Sequence, residues 1–368
     1  MSDMSETSTS GTTPSADSDT NVASTAHIRA AVIGCGDISA VHLAAIAARP
    51  GTRLVAIADT DAGRREAASA THAVPGFATL TELLDAVEVD VVHVTTPHSE
   101  HAPLAIEALR RGVNVLLEKP FAHSLEAGRE LADAVAAPGA GKLALCFQNR
   151  YNTPVRALFD RLRSGELGAI RGAVGTVLWH RTADYYRDRP WRGTWAGGGG
   201  GLLMNQAIHT LDLLQWMLGP VEQVSGSAST RSLGDVIEVE DTAEMVLTHA
   251  GGAQSVFFAT LANSRNAAIE IQLETEHAVA TLRGDLTIEW ADGRVETVAE
   301  PVTATGERSY WGVSHELLID HFHSTLADPE PFWIGVDAGL DTLTTINAVY
   351  DASFPDRAAL AAVKETAE

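Results

Sequence analysis

Gly34-Cys35-Gly36-Asp37-Ile38-Ser39 stands between an apolar run, Ile28 to Ile33, and the helical pattern Ile38 to Ala48. Backbone N–H groups at such a helix start take up phosphate charge. Gly34 allows the tight turn, Gly36 lets the main chain approach a pyrophosphate, and small Ser39 stands where a third glycine would pack helix on strand. Asp37 and Ile38 complete the loop. Asp59 closes the next apolar run, 20 residues after Ser39, where a carboxylate hydrogen-bonds ribose hydroxyls and repels a 2′-phosphate. Strand, turn, helix and acid together predict dinucleotide binding, with NAD ahead of NADP and NADP left open; a tight turn without ligand is the alternative. Arg64 and Arg65 either soften that preference or are solvated surface charges.

Glu118-Lys119-Pro120 ends the apolar run Val113 to Leu117. A Glu-Lys pair alone reads as surface charge, but open parallel sheets bind ligands beyond the carboxyl ends of their strands, and this pair lies at such an end. Gln148-Asn149-Arg150 follows the next run; Gln148 and Arg150 there are either within reach of cofactor and substrate or spent on hydrogen bonds between domains. His98 and His101 form an HxxH, yet no third ligand has suitable spacing, and Cys35 and Cys146 lie in no zinc-like cluster, so no metal is expected.

These residues need strands that end together. From His27 to about Phe147, apolar runs (Ile28 to Ile33, Leu54 to Ala58, Val89 to Val94, Val113 to Leu117, Leu143 to Phe147) alternate with helical patterns (Ile38 to Ala48, Leu80 to Val87, Ala102 to Arg110, Leu125 to Val135). That alternation predicts an α/β fold, a doubly wound parallel sheet of Rossmann type over residues 27–147. Residues 148–368 read differently. Helices Val155 to Leu162 and Leu202 to Leu218 precede strand-like runs at Ala173 to His180, Thr242 to Thr248, Ala253 to Leu261, Ala268 to Glu274 and Ala278 to Leu282. This predicts a second α/β domain with an antiparallel or mixed sheet and helices on one face. His315 to Leu326 and Ala338 to Tyr350 read as closing helices that pack back on the first domain. Residues 1–26, with 13 Ser or Thr and no Lys or Arg, read as a disordered tail rather than a signal peptide.

The chain of 368 residues carries 26 basic against 48 acidic side chains, a net charge of −22. Nucleic acid and anionic membranes need a basic footprint, so neither is an expected partner. No run is long and apolar enough to span a bilayer. Two cysteines build no disulfide framework, which fits a reducing, cytoplasmic setting.

The GCGDIS turn, the segment TTPHSEHAPLAIEALRRGVNVLLEKP and the later GGGGGLLMNQAIHTLDLLQWMLG resemble the Gfo/Idh/MocA oxidoreductases over nearly the whole folded chain. The resemblance implies a Rossmann domain joined to a domain with a large, mostly antiparallel, open-faced sheet that forms homodimer or homotetramer contacts. It implies hydride transfer between NAD(P) and a secondary hydroxyl of a cyclic polyol, sugar or sugar derivative. Lys119 then polarises the reacting oxygen with a pKa lowered by partial desolvation, His209 exchanges the hydroxyl proton, and Glu118 lies near the nicotinamide ribose. Asn205 stands where many members carry aspartate, so it can hydrogen-bond substrate without serving as acid or base. Asp212 either orients this helix or touches substrate. Thr95, Thr96, Pro97 and His101 fall beside the nicotinamide half of the cofactor, Trp191 and Arg192 border it, and Tyr185 and Arg192 face substrate, though Tyr185 also suits core packing. Two other activities stay open: chemistry on retained NAD with no net redox change, or transfer between sugars; and a catalytically silent dinucleotide-binding sensor. The acidic surface favours a neutral polyol or glycoside.

Overall fold

A computed structural model of the chain describes residues 27–300 and 314–357. The expected tail, 1–26, lies outside the described residues. The first sheet is built from β1 (Ile28–Ile33), β2 (Thr52–Ala58), β3 (Gly76–Phe77), β4 (Val91–Val94), β5 (Asn114–Leu117) and β6 (Leu143–Leu145). They lie in the order β3-β2-β1-β4-β5-β6, all parallel. Ala30, Ala31, Val32, Val91, Val92, Val115 and Leu116 are fully buried, as strands covered by helices on both faces require. The covering helices are α1 (Ser39–Ala48), α2 (Ala62–His72), α3 (Leu80–Ala86), α4 (His98–Arg110) and α5 (Leu125–Ala136). No residue of α2 is buried, and Asp61 caps it by accepting from the Arg64 N–H. Without an apolar stripe, α2 leaves no periodic signal, and two-residue β3 is too short to show one.

After a short 3-10 turn at Gln148–Tyr151 come α6 (Thr153–Ser164), β7 (Ile170–Leu178), α7 (Ala183–Arg187), α8 (Trp195–Gly198) and α9 (Ile208–Leu218). Then follow β8 (Val221–Ser229), β9 (Thr242–His249), β10 (Gln254–Thr260), β11 (Glu270–Thr275), β12 (Ala278–Arg283), β13 (Asp285–Trp290) and β14 (Val295–Val298). They form an eight-stranded sheet, β14-β13-β12-β11-β7-β10-β9-β8, antiparallel throughout except between β10 and β7. Helices α6, α9 and α11 (Val336–Ser353) pack on one face of this sheet. On the other face Val174, Val256 and Val246, cross-strand neighbours in register, are exposed. The closing helix α10 (Ser314–Ser324) packs against α1, and α11 also packs against α5, so the C-terminal helices brace the first domain.

Candidate active site

The carboxyl ends of the first sheet converge as expected: Gly34 follows β1, Asp59 follows β2, Thr95 follows β4, Glu118 and Lys119 follow β5, and Gln148 lies just beyond β6. Gly34 has φ +90°, and a Cβ there would press on the Thr95 carbonyl; only glycine takes that turn without strain. Gly36 faces open space, with nothing within 4 Å of the point a Cβ would occupy. The buried Asp59 carboxylate accepts from the Cys35 N–H at 2.7 Å and the Asp61 N–H at 2.8 Å, so it shapes the glycine turn as well as facing its mouth. Arg64 Nε lies 3.4 Å from this carboxylate, while Arg65 donates to the Asp59 carbonyl oxygen at 2.7 Å. Asp37, in the same turn, meets Arg189 at 3.5 Å and Arg192 at 3.7 Å.

The second domain reaches over this edge. Residues Leu203–Ala207 form a π-helical turn leading into α9, and such a turn interrupts the regular i→i+4 ladder. Lys119 Nζ donates to the Asn205 carbonyl in that turn at 2.7 Å, a contact joining the end of β5 to the second domain. The Lys119–Pro120 peptide is cis. His209 opens α9 with its ring edge to Phe147 at 6.0 Å, and its buried Nδ1 has no hydrogen-bond partner among the described residues. Asn205 Nδ2 and Gln206 Nε2 donate to the Tyr185 hydroxyl at 3.5 and 3.0 Å, while the Arg192 guanidinium lies 4.6 Å from the Tyr185 ring centre. Contacts therefore link Lys119, Asn205, Tyr185 and Arg192, and His209 lies near enough to feel the Lys119 charge.

Charge differentiates the two groups suited to proton transfer. Desolvation, reinforced by Arg192 and opposed by Glu118, lowers the Lys119 ammonium to about 8. Desolvation and the Lys119 charge lower His209 to about 3. At neutral pH Lys119 is mostly a cationic donor and His209 a neutral acceptor.

Two supports hold the helix start. Arg150 and Asp212, both buried, form a bidentate pair at 3.0 and 2.6 Å, so they link the end of the first domain to α9 rather than reaching cofactor. Glu240 is fully buried and accepts from the Gly201 N–H (2.9 Å), the Leu203 N–H (2.8 Å) and the Tyr350 hydroxyl (2.7 Å). Burial pushes its pKa up to about 7 against those donors. Sequence reasoning misses Glu240, whose only signal is an acid, Glu240-Asp241, entering an apolar strand. The glycine run has a packing reason at Gly199, φ +69°, where a Cβ would overlap the His123 carbonyl.

Three of the expected cofactor contacts are redirected. Both ring nitrogens of His101 face carbonyls, Pro120 at 2.8 Å and Thr96 at 3.0 Å, and the residue is buried, so it clamps the two loops. The Thr95 hydroxyl is spent on the Gly34 and Ile33 carbonyls at 2.6 and 3.0 Å. The Glu118 carboxylate accepts from His42 at 3.0 Å, His315 at 3.2 Å and the Lys119 N–H at 3.2 Å, turning into the core rather than toward a ribose. Trp191 packs edge-on to His98 at 4.8 Å, and His98 Nδ1 faces the Gly198 carbonyl at 2.9 Å. Pro97 caps α4. In the cleft, Thr96 Oγ1, Gln148 Oε1 and His209 Nδ1 are buried without partners among the described residues. Together with the open space at Gly36 and the carboxylate at Asp59, these orphaned atoms fit a site that would hold a dinucleotide.

Family models match both halves of the chain. One, described as an oxidoreductase family with an NAD-binding Rossmann fold, covers residues 28–141, and a GFO/IDH/MocA C-terminal domain covers 155–280. D-apiose dehydrogenase of Paraburkholderia graminis is 27% identical over 88% of this chain and 86% of its own length. Inositol 2-dehydrogenase 2 of Paenarthrobacter aurescens is 34% identical over 61% of this chain and 66% of its own length. Among solved structures, the WlbA dehydrogenase of Bordetella pertussis, in complex with NADH and UDP-GlcNAcA, superposes with a TM-score of 0.75 at 29% identity. That match spans 89% of this chain and 96% of WlbA.

Proposed function

The chain belongs to the Gfo/Idh/MocA oxidoreductases, whose N-terminal domain binds NAD, and from that premise we propose that it transfers hydride between NAD and a secondary hydroxyl of a cyclic polyol, sugar or sugar derivative. The convergence of Lys119, Asn205 and His209, sealed by the 2.7 Å Lys119–Asn205 contact, carries this reading. Bound NAD supplies the hydride acceptor. The Lys119 ammonium donates to the substrate oxygen, and neutral His209 accepts the hydroxyl proton as the carbonyl forms, proton transfer of this kind being worth about 10²- to 10⁴-fold. Asn205 and Tyr185 orient the ring. Gly34, Gly36, Asp37, Ile38 and Asp59 hold the adenosine and pyrophosphate half of the cofactor, while Thr96, Gln148 and Trp191 border its nicotinamide half. The relatives named for D-apiose and inositol support a polyol or sugar substrate.

A neutral substrate is favoured by the acidic balance of the chain, a net charge of −22, and Arg192 and Arg189 share Asp37 rather than standing open to an anion. The exposed valines of β7, β10 and β9 support self-association through the second sheet, as a homodimer or homotetramer. No helix of the described residues is long and apolar enough to cross a membrane, and both cysteines are free, which supports a cytoplasmic setting. The test is NADH absorbance with purified protein, NAD and a panel of inositols, aldoses and glycosides. Steady accumulation with a neutral polyol supports the reading, while bound NAD that is reduced and reoxidised without release points to retained-cofactor chemistry. Silence across the panel in either direction rejects it.

A further inference from the structure

Behind Glu118 the described residues hold a file of histidines that hydride transfer at Lys119 and His209 does not use. Thr52 Oγ1 lies 3.4 Å from His323 Nδ1, His323 Nε2 lies 2.9 Å from His93 Nε2, His93 Nδ1 lies 2.9 Å from His42 Nδ1, and His42 Nε2 lies 3.0 Å from Glu118 Oε1. The three histidines and Glu118 are buried, whereas Thr52 is partly exposed. The file runs from the edge of β2, under α10, across β4 and α1, to the residue next to Lys119. Resting on the dehydrogenase reading, we propose that His323, His93 and His42 form a proton relay that connects Glu118, at the active site, with solvent beside Thr52.

Each neutral imidazole donates through one nitrogen and accepts through the other, so the file has one consistent sense: Thr52 to His323 to His93 to His42 to the Glu118 carboxylate. In that sense every proton shifts one step inward, water replaces the proton of Thr52, and Glu118 is protonated; in the opposite sense, with each ring in its other tautomer and Glu118 donating to His42, one step outward releases a proton from Thr52 to solvent. No imidazole need become a cation. The surroundings keep the rings neutral: burial and the Arg49 charge hold His323 at about 3, burial and the adjacent rings hold His93 well below its usual value, and burial outweighs Glu118 at His42. Other groups facing the file are His315, on Glu118 at 3.2 Å, and Asp320, paired with Arg49 at the outer end. The Cys146 thiol also faces Glu118, and burial with the carboxylate charge keeps it protonated. These hydrogen bonds account for the closeness of the His42, Glu118 and Cys146 ligand-type atoms, all within 4.8 Å of one another.

The file gives the reaction's proton a route to solvent through the protein. Oxidation of CH–OH sends a hydride to NAD and one proton to the protein, and that proton must reach solvent before the next turnover. Glu118 adjoins the reacting groups: it accepts from the Lys119 N–H at 3.2 Å, and its charge acts on Lys119 and His209. Against desolvation, the hydrogen bonds from His315 and His42 hold its carboxyl well below the usual range, so it carries the proton only in passing.

The experiment mixes enzyme and NAD with the active polyol in weak buffer, following NADH by absorbance and proton release with an indicator dye. In the wild type the two signals rise together. In His93→Phe, proton release lags, turnover falls about 10-fold, less than the roughly 10²-fold or more lost with a group that itself transfers the substrate proton, and added imidazole restores it, with NAD affinity unchanged. If His93→Phe does not fold, His323→Phe at the outer end carries the same expectation. A folded variant with wild-type synchrony and turnover overturns the relay and leaves the dehydrogenase reading standing. A wild type that reduces no NAD overturns that reading and the relay with it. Ring-15N spectra of the ligand-free protein give a readout without turnover: His93→Phe should shift the His42 and His323 resonances. Unshifted resonances, or a stoichiometric metal on His42, also overturn the relay.

Discussion

Lys119 and His209 share a cleft but not a protonation range. With Lys119 at about 8 and His209 at about 3, only the lysine changes charge near working pH. Lysine is charged below its pKa, and the charged form donates to the substrate oxygen; kcat/KM for polyol oxidation should therefore be level below about 8 and fall tenfold per unit above it. A profile that instead climbs through that pH would assign the lysine as a neutral base. The glycine turn and Asp59 are readable in the sequence because their chemistry is local, set by spacing along one βαβ unit. His101 is placed by contacts of another kind: its neighbours in sequence suggest a cofactor loop, while its ring nitrogens face the Pro120 and Thr96 carbonyls, one of which can take its single N–H.

At the scale of elements, a buried ion pair docks α9 onto the end of the first domain. The Arg150–Asp212 pair crosses that boundary under the Trp216 and Trp333 rings, with the guanidinium 5.1 and 5.8 Å from their centres. Removing one partner of a buried pair strands the other charge, so Asp212→Ala should cost roughly 3–5 kcal/mol, measured by urea unfolding. An effect under about 1 kcal/mol, the range of exposed pairs, would show that the pair does not dock the helix. Strong periodicity makes α1, α5 and α11 legible, and strand-like alternation does the same for β7, β9 and β10. The polar helix α2, the short β3 and β14, and β8 carry too little apolar pattern, whereas β13 alternates Leu286, Ile288 and Trp290 with polar residues, a strand signal present in the sequence. The π turn at Leu203–Ala207 is invisible in the sequence, since its residues read as ordinary helix and only the contacts of Lys119 and Glu240 reveal why the ladder widens there.

For the whole molecule, the passage from the parallel sheet to the second sheet is legible from the change in rhythm near Arg150, but the surfaces they present to each other are not. The histidine file joins residues as far apart as His93 and His323, and no local pattern links them. The open sheet face makes a further prediction. Val256 lies between Val174 and Val246 with 47% of its surface exposed, and an aspartate there would bury charge in a sheet-to-sheet contact. The proposed contact through this face predicts that Val256→Asp sediments as a smaller species than the wild type, with little change in thermal stability; an unchanged sedimentation coefficient would contradict that contact. The central claim is that this cleft moves a hydride and a proton between a polyol and NAD through Lys119 and His209. Its most direct test is turnover and NAD affinity of Lys119→Ala and His209→Ala on the best polyol of the panel. The account predicts a loss of about 10²-fold or more in kcat for each, with NAD affinity nearly intact, and near-wild-type turnover in either variant would contradict it.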